Sequence, residues 1–399
     1  MLKELNFTLK DEYTQKYKES YPLLSKESLQ DYSKLTQEGS VINLFDSKKN
    51  FIAKGYHGVQ NKGFGWILTL KKDEKINEQF FQSKIKKALE YRKDFFVNKN
   101  TTAFRVFNGE GDGVGGLTID YFDGYYLITW YSLGIYEHRK NIISALKSST
   151  TYKGIYQKKR FDGKGKYLDE SDDFICGKEA DKPIIIKENG VKFAVYLDDG
   201  AMVGIFLDQK EVRKTIRDKY AKGKVVLNTF SYTGAFSVYA ALGGAKETTS
   251  VDLAKRSLLK TQEQFKINNI DLKKQKIIVE DVFDYFKYAV RKKMLFDMVI
   301  VDPPSFARSK KRTFSVTKDY VKLLKEIIQI IKQNGVIVAS TNSANISMML
   351  FRDFIKKAFN ESKIKFKVEE SFSLPKDFKS DKKFHESNYL KVVFIRKLK

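Results

Sequence analysis

The 399-residue chain contains one cysteine, three histidines and no run of 18 apolar residues. One cysteine excludes a framework of disulfide bonds, and histidines as far apart as His57, His138 and His385 argue against a dense metal site. The missing apolar run argues against a membrane-spanning helix, and residues 1–9 lack the apolar core of a signal peptide. These absences predict a cytoplasmic protein with no metal and no membrane partner.

Positive charge is abundant: 74 Lys and Arg residues outnumber 49 Asp and Glu residues, which gives a net charge of +25. Such an excess indicates an extended polyanionic partner, although lysines spread along the whole chain also serve solubility. Two basic clusters lie next to aromatic residues or to a predicted loop. We predict nucleic-acid contacts at Lys158, Lys159 and Arg160 in the first cluster, and at Arg308, Lys310, Lys311 and Arg312 in the second.

The segment 299–306, Val-Ile-Val-Asp-Pro-Pro-Ser-Phe, carries the strongest signal of chemistry. Its β-branched run is typical of a buried parallel strand, and Pro303 cannot continue a central strand. Asp302 should therefore project at the carboxyl edge of a sheet, where open α/β folds bind ligands. The alternative is a strand that merely ends in a Pro-Pro turn. We predict catalytic roles for Asp302, Pro303, Pro304 and Phe306.

Three earlier segments repeat this pattern of a short strand followed by polar residues. The strand at 224–227 leads into a turn with Gly234 and then into a helix, whose free backbone N–H groups attract polar ligand atoms. The second strand ends at Asp252, 24 residues past Asn228, near the spacing at which an acid bonds ribose hydroxyls. The third is followed by Asp281, which either approaches an adenine amine or caps the next helix.

The positions of the glycines restrict the class of ligand that the sheet edge can bind. The turn after 224–227 lacks G-x-G-x-x-G, so it offers no close approach to a pyrophosphate. The G-x-G-x-G-x-G at 109–115 precedes a predicted strand rather than a helix, and we interpret it as a turn between strands. An open first turn followed by several acidic strand ends suits an adenosyl ligand without phosphates, of which S-adenosylmethionine is the obvious example.

These motifs resemble those of the S-adenosylmethionine-dependent large-subunit rRNA methyltransferases that carry an N-terminal PUA domain, in particular the Gram-positive branch. The resemblance covers essentially the whole chain and is carried by residues 206–209 with Arg213, 228–244, 250–252, 281–283, 302–306 and 387–391. It implies S-adenosylmethionine as cofactor and 23S rRNA, or a large-subunit precursor, as partner. The predicted cofactor-binding residues are Asp208, Gln209, Asn228, Phe230, Ser231, Tyr232, Thr233, Gly234, Asp252, Asp281 and Asp302.

The pattern of elements predicts an α/β protein of three domains. Short strands separated by turns at 40–70 favour a small β-barrel over residues 1–73, which the resemblance identifies as a PUA-like RNA-binding module. A mixed α+β middle domain should cover 74–196, beginning with an amphipathic helix at 77–98. A Rossmann-like methyltransferase domain should cover 197–399. A homodimer is left open.

The target base depends on whether a thiol is present. Cytosine C5 must be activated by a cysteine that adds to C6, and related cytosine-C5 enzymes place that cysteine where this chain has Ala344. The only cysteine, Cys176, precedes the predicted catalytic domain. Guanine N7 has a free in-plane lone pair and needs no thiol, so we predict methylation at guanine N7. The alternatives are a cytosine-C5 enzyme without the usual thiol and a catalytically idle RNA-binding assembly factor.

Overall fold

The chain forms two compact units in the computed structural model. The first comprises Met1–Ile186, Val195–Val203 and Lys376–Ser387, and the second comprises Lys187–Ala194, Gly204–Pro375 and Asn388–Lys399. The residues that the structure describes are 2–60, 63–161, 173–200, 202–308 and 313–399. Among these residues, no helix combines the length and the apolar character that crossing a membrane requires.

Two five-stranded sheets and five helices build most of the first unit. The first sheet consists of β1 (Glu4–Thr8), β2 (Leu23–Leu24), β3 (Val41–Phe45), β4 (Phe51–Gln60) and β5 (Gly63–Thr69), in the order β1-β3-β4-β5-β2. The second consists of β6 (Ala103–Asn108), β7 (Leu117–Phe122), β8 (Tyr125–Trp130), β9 (Gly154–Lys159) and β10 (Phe174–Gly177), in the order β10-β9-β8-β7-β6. The helices are α1 (Asp11–Lys18), α2 (Glu78–Tyr91), α3 (Lys93–Phe96), α4 (Leu133–Tyr136) and α5 (Arg139–Ser149).

The predicted short strands at 40–70 and the predicted amphipathic helix are both present. In β3, Ile42 and Leu44 are buried and alternate with less buried residues, which is the period of a strand with one face on a core. Helix α2 begins after Asn77, whose side chain accepts a hydrogen bond from the Phe80 amide at 3.1 Å. Its buried residues are Phe80, Phe81, Ile85 and Ala88, which recur at helical spacing.

The predicted barrel has a buried cluster of its own, around Ile42 and Leu44, and also packs against the predicted middle domain. The Tyr56 hydroxyl on β4 donates to the Gly115 carbonyl at 2.7 Å, and His138 Nε2 lies 2.9 Å from the Gly39 carbonyl. Tyr56 and Trp66 belong to the same buried cluster as Phe81 and Trp130. Residues on both sides of the predicted boundary at 73/74 belong to the first compact unit.

The segment Lys376–Ser387 also belongs to the first unit, although we predicted that all of 197–399 would form the catalytic domain. Buried Arg92 donates to the Asp377 carbonyl at 2.8 Å, and Asn108 donates to the Lys379 carbonyl at 2.9 Å. Gly111 lies so close to this segment that a Cβ there would come within 1.9 Å of the Lys379 carbonyl oxygen. The glycine-rich turn between β6 and β7 is thus a packing element, which agrees with the prediction of a turn between strands.

A two-stranded sheet of β11 (Ile184–Glu188) and β12 (Val191–Val195) precedes the main sheet of the second unit. The strands that follow are β13 (Val225–Thr229), β14 (Glu247–Asp252), β15 (Gln275–Val279), β16 (Phe296–Val301), β17 (Phe306–Arg308), β18 (Thr313–Ser315), β19 (Ile331–Thr341), β20 (Phe366–Phe372) and β21 (Lys391–Lys397). The helices are α6 (Lys210–Thr215), α7 (Ala235–Leu242), α8 (Arg256–Ile267), α9 (Val282–Arg291), α10 (Val316–Ile330) and α11 (Met348–Glu361), with a π-helical turn at Ile216–Tyr220.

The main sheet has seven strands in the order β15-β14-β13-β16-β19-β21-β20. The first five are parallel, and β21 and β20 continue the sheet antiparallel. Val299 and Val301 lie in one buried cluster and Met298 and Ile300 in another, because helices cover both faces. The chain order reverses between β13 and β16, and a crevice at such a switch point is where doubly wound sheets bind ligands.

Candidate functional site

The loop after β13 has an unusual backbone. Phe230 (φ 54°), Tyr232 (φ 52°) and Gly234 (φ 76°) all adopt the left-handed region, which non-glycine residues rarely occupy. At Gly234 a Cβ would also come within 2.4 Å of Thr261 Cγ2, so only glycine fits. Helix α7 begins directly after this turn. Strained turns of this kind cluster at ligand sites, and the free N–H groups of a helix start attract polar atoms.

Asp252 ends β14 beside this loop and holds it in place. Its Oδ2 accepts the Tyr232 amide at 2.8 Å, and its Oδ1 accepts the Ala254 amide at 2.9 Å. The residue is half-buried, so its carboxylate remains accessible at the edge of the sheet. Each carboxylate oxygen has a second lone pair, and together these can accept the two hydroxyls of a ribose.

Other predicted residues of this loop are used for its support. Asn228 is fully buried, and its side-chain amide donates to Ser237 Oγ at 3.0 Å; its contact with the cofactor stays a prediction. The Ser231 amide donates to the Val251 carbonyl at 3.1 Å, and Thr233 Oγ1 donates to the Gly204 carbonyl at 2.6 Å. These contacts fix the shape of the loop, and binding of the cofactor by its residues stays a prediction.

Asp281 is the N-cap of α9. Its Oδ1 accepts the amides of Phe283 at 2.9 Å and Asp284 at 3.3 Å. The capping interpretation of this residue is therefore correct, and its contact with an adenine amine stays a prediction. Phe230 packs near Phe283 and Phe314, with ring centroids 6.2 and 6.5 Å away, which places an aromatic wall on this side of the edge.

Asp302 follows β16 and is held from two sides. Its Oδ2 accepts Gln209 Nε2 at 2.8 Å, and its Oδ1 accepts the Ser340 hydroxyl. Burial of the carboxylate raises its pKa to about 6, and the hydrogen bonds from Ser340 and Gln209 oppose the rise while the nearby charge of Asp208 adds to it. The group is therefore mostly ionised at neutral pH and acts as a hydrogen-bond acceptor.

The turn at Leu207–Gln209 brings further acceptor oxygens to Asp302. Tyr389 donates to Asp208 Oδ2 at 2.9 Å. Gln209 is 4% exposed, and within the described part of the chain its Oε1 has no hydrogen-bond partner. A buried acceptor without a donor fits a ligand that brings one, such as the amino group of the methionine part of S-adenosylmethionine. The acceptors here and at Asp252 therefore fit the two ends of that cofactor.

The Pro-Pro loop presents an aromatic ring to solvent. Pro303 is buried, Pro304 is exposed, and Phe306 at the start of β17 is 62% exposed. Ser305 Oγ donates to Asn342 Oδ1 at 2.7 Å and ties this loop to the one after β19. An exposed ring four residues from a carboxylate can stack on a nucleobase.

The predicted RNA-binding residues differ in their burial and in their contacts. Lys158 is buried, and its ammonium group pairs with Asp173 Oδ2 at 3.0 Å, so it is corrected from an RNA contact to an internal ion pair. Lys159 lies over the Tyr136 ring at 5.4 Å from the centroid, and Arg160 Nη2 donates to Met202 Sδ at 3.2 Å. Arg308 ends β17, and Lys310, Lys311 and Arg312 lie outside the described residues.

Three residues of the site escaped the sequence reasoning. Ser340 lies near the end of β19, and the pairing of Val301 with Ala339 brings it beside Asp302. Tyr389 and Lys391 lie in a segment that the resemblance included without giving them a role. Lys391 donates to the Ser343 carbonyl at 2.7 Å and to the Tyr389 carbonyl at 2.8 Å, and burial lowers its pKa to about 8.

Comparison with known proteins identifies the family. Residues 104–381 match a family model described as S-adenosylmethionine-dependent methyltransferase, and residues 7–70 match a PUA-like domain. The chain is 56% identical over 392 residues to the Bacillus subtilis protein "Putative ribosomal RNA large subunit methyltransferase YwbD", covering 98% of this chain and 99% of the relative. It is 30% identical over 356 residues to "Ribosomal RNA large subunit methyltransferase I" of Vibrio parahaemolyticus, covering 88% and 89%.

Solved structures also identify the chain as a methyltransferase. The chain superposes with a TM-score of 0.90 and 40% identity on the crystal structure of a "putative methyltransferase complexed with SAH", covering 99% of this chain and 100% of the other. A putative S-adenosylmethionine-dependent methyltransferase from Streptococcus mutans gives a TM-score of 0.89 and 39% identity, with coverage of 99% and 100%. The chain therefore belongs to the S-adenosylmethionine-dependent methyltransferases, with a PUA-like domain near its N-terminus and S-adenosylmethionine as its methyl donor.

Proposed function

We propose that this enzyme methylates N7 of a guanine in 23S rRNA by direct transfer, without a covalent cysteine intermediate. The carrying observation is Asp302, a half-buried, ionised acceptor at the ligand edge, with Ala344 where a thiol would be needed for cytosine C5. The names of the relatives support ribosomal RNA of the large subunit as the substrate. The net charge of +25 and the PUA-like domain agree with an RNA partner.

Guanine N7 requires little of the protein beyond alignment. The cofactor supplies a methyl group that its sulfonium already activates. The N7 lone pair lies in the plane of the base and is free, so no proton has to leave before transfer. The protein must hold the base in line with the methyl group and exclude water. Asp302 can accept the N1–H and N2–H of guanine, and Phe306 can stack on the ring, a contact worth about 1–3 kcal/mol.

The cytosine-C5 alternative lacks its nucleophile. That reaction needs a thiolate that adds to C6 of the base. Cys176 is the single cysteine, and Ala344 stands where related cytosine-C5 enzymes carry the thiol. The idle assembly factor is also disfavoured, because Asp252 and Asp302 are both in place and hydrogen-bonded at the sheet edge.

Two variants separate these chemistries. Methyl transfer from labelled S-adenosylmethionine to unmodified 23S rRNA is measured for Cys176→Ser and for Asp302→Ala. We expect Cys176→Ser to stay near wild type, and Asp302→Ala to lose most transfer while still binding the cofactor. Loss of activity in Cys176→Ser, or a covalent adduct with RNA containing 5-fluorocytosine, would refute guanine N7 and restore the cytosine route. Unchanged activity in Asp302→Ala would remove that residue from catalysis.

A further inference from the structure

Asp302 is held by two residues whose positions are fixed by different elements. Gln209 ends the turn that leads into α6, and Ser340 lies on β19, the neighbour of β16 in the sheet. They bind opposite oxygens of the carboxylate, Gln209 at Oδ2 and Ser340 at Oδ1. A carboxylate held at both oxygens cannot rotate without breaking one of these bonds.

We propose that Gln209 and Ser340 are positioning residues that select guanine by aiming the two remaining acceptor directions of Asp302 at the N1–H and N2–H of the target base. This inference rests on the proposed function. An ionised carboxylate offers about four acceptor directions, of which these two side chains occupy two. One direction remains on each oxygen, which is the arrangement that receives two parallel N–H donors.

Only guanine presents two adjacent donors of this kind. Cytosine and adenine each pair one amino donor with a ring acceptor on the same edge, and uracil has a single ring N–H between two carbonyls. A ring acceptor facing the carboxylate is repelled and leaves a desolvated oxygen unpaired, which is costly. A free carboxylate could accept donors in many orientations. The hydrogen bonds from Gln209 and Ser340 hold Asp302 in one orientation, so that it accepts the donors of guanine and disfavours the other bases.

The surroundings of these residues support a fixed arrangement. Gln209 is 4% exposed and Ser340 is 2% exposed, so neither side chain is free to reorient in solvent. The backbone of Ser340 is itself anchored, because the buried Tyr320 hydroxyl donates to its carbonyl at 2.8 Å. The amide of Gln209 must point its Nε2 at Asp302, since an Oε1 there would face a carboxylate oxygen.

The charges around Asp302 set its pKa and therefore the pH below which activity is lost. Burial raises its pKa; Asp208 adds to the rise, and Arg213 opposes it together with the two hydrogen bonds. The Tyr320 hydroxyl faces the same carboxylate from α10. Removing the hydroxyl of Ser340 takes away a bond that favours the ionised form, so the pKa of Asp302 moves further up. Activity that needs the ionised form is then lost at a higher pH than in the wild type.

The test compares Ser340→Ala with Ser340→Thr, which keeps a hydroxyl, and with Ser362→Ala as a control at the end of α11. The substrates are ligated fragments of 23S rRNA with guanosine or inosine at the mapped target; inosine keeps N1–H and lacks the N2 amino group. For the wild type we expect kcat/KM to be about 10- to 100-fold lower on inosine, the effect of one hydrogen bond to a charged group. In Ser340→Ala the guanosine/inosine ratio should fall towards one, and the acid limb of the pH profile should move up.

Ser340→Thr should restore both the ratio and the acid limb, and Ser362→Ala should match the wild type. Thermal unfolding and S-adenosylmethionine affinity of each variant show whether the fold and cofactor site are intact. If Ser340→Ala does not fold, Gln209→Glu takes its place, because an ionised glutamate cannot donate to Asp302 and repels it. Equal use of inosine and guanosine by the wild type would overturn the inference. An unchanged guanosine/inosine ratio together with an unchanged pH profile in a folded Ser340→Ala or Gln209→Glu variant would also overturn it.

The outcome also separates this inference from the proposed function on which it rests. If the wild type makes no N7-methylguanine, both are wrong. If it makes N7-methylguanine on guanosine and methylates the inosine fragment equally well, the proposed function stands and the positioning roles of Gln209 and Ser340 are wrong.

Discussion

Removal of the Asp252 carboxylate should weaken binding of the methyl donor. The carboxylate is expected to accept ribose hydroxyls, and a hydrogen bond to a charged group contributes about 1.5–3 kcal/mol. Asp252→Ala should therefore raise the dissociation constant of S-adenosylmethionine about 10- to 150-fold. The upper part of this range is the more relevant, because Asp252 also accepts the Tyr232 and Ala254 amides that fix the ligand loop.

Isothermal titration of the purified enzyme with S-adenosylmethionine measures this change. Glu247 is the matched control, since it starts the same strand that Asp252 ends and pairs with Lys276 at 2.7 Å. Glu247→Gln should bind the cofactor as tightly as the wild type. An unchanged affinity in Asp252→Ala would remove this residue from the cofactor site, and equal weakening in both variants would indicate a general effect of charge on the strand.

Three further predictions concern RNA affinity, stability and pH. Charge reversal at Lys310 and Lys311 should flatten the decline of RNA affinity with salt in filter binding, because fewer counterions are released; an unchanged slope would exclude phosphate contacts there. Arg92→Met removes the buried ion pair with Asp112, which keeps the Asn108 amide and the more distant Lys379 ammonium group, and should cost about 3–5 kcal/mol in urea unfolding. Lys93→Met, in an exposed pair, should unfold like the wild type. Methyl transfer should fall as pH drops through about 6, where Asp302 gains a proton and stops accepting; a flat profile from pH 5 to 8 would contradict this.

Strand β16 was predictable because it is buried on both faces and therefore reads as a nearly continuous apolar run. The strands that end before Phe230, at Asp252 and before Asp302 lie next to one another, as expected for the carboxyl edge of one sheet. The polar or acidic residue at each strand end is a local signal. The fold class and this row of candidate ligand groups could therefore be predicted without coordinates.

Contacts between residues far apart in the chain left no such signal. Arg92 binds the backbone at Asp377, 285 residues away, and nothing local marks residues 376–387 as part of the first unit. Lys158 belongs to a basic run that is typical of a solvated surface, and only the fold places Asp173 beside it. The bond between Ser340 and Asp302 depends on the register of β19 against β16, which composition does not specify.

Nucleoside mass spectrometry of 23S rRNA from cells with and without the gene tests the central claim most directly. The account predicts that one N7-methylguanosine disappears with the gene and returns with the wild-type copy but not with Asp302→Ala. The N7-methylated base carries a fixed positive charge, so borohydride followed by aniline cleaves the strand there and maps the nucleotide. Loss of 5-methylcytidine, with every N7-methylguanosine retained, would contradict it.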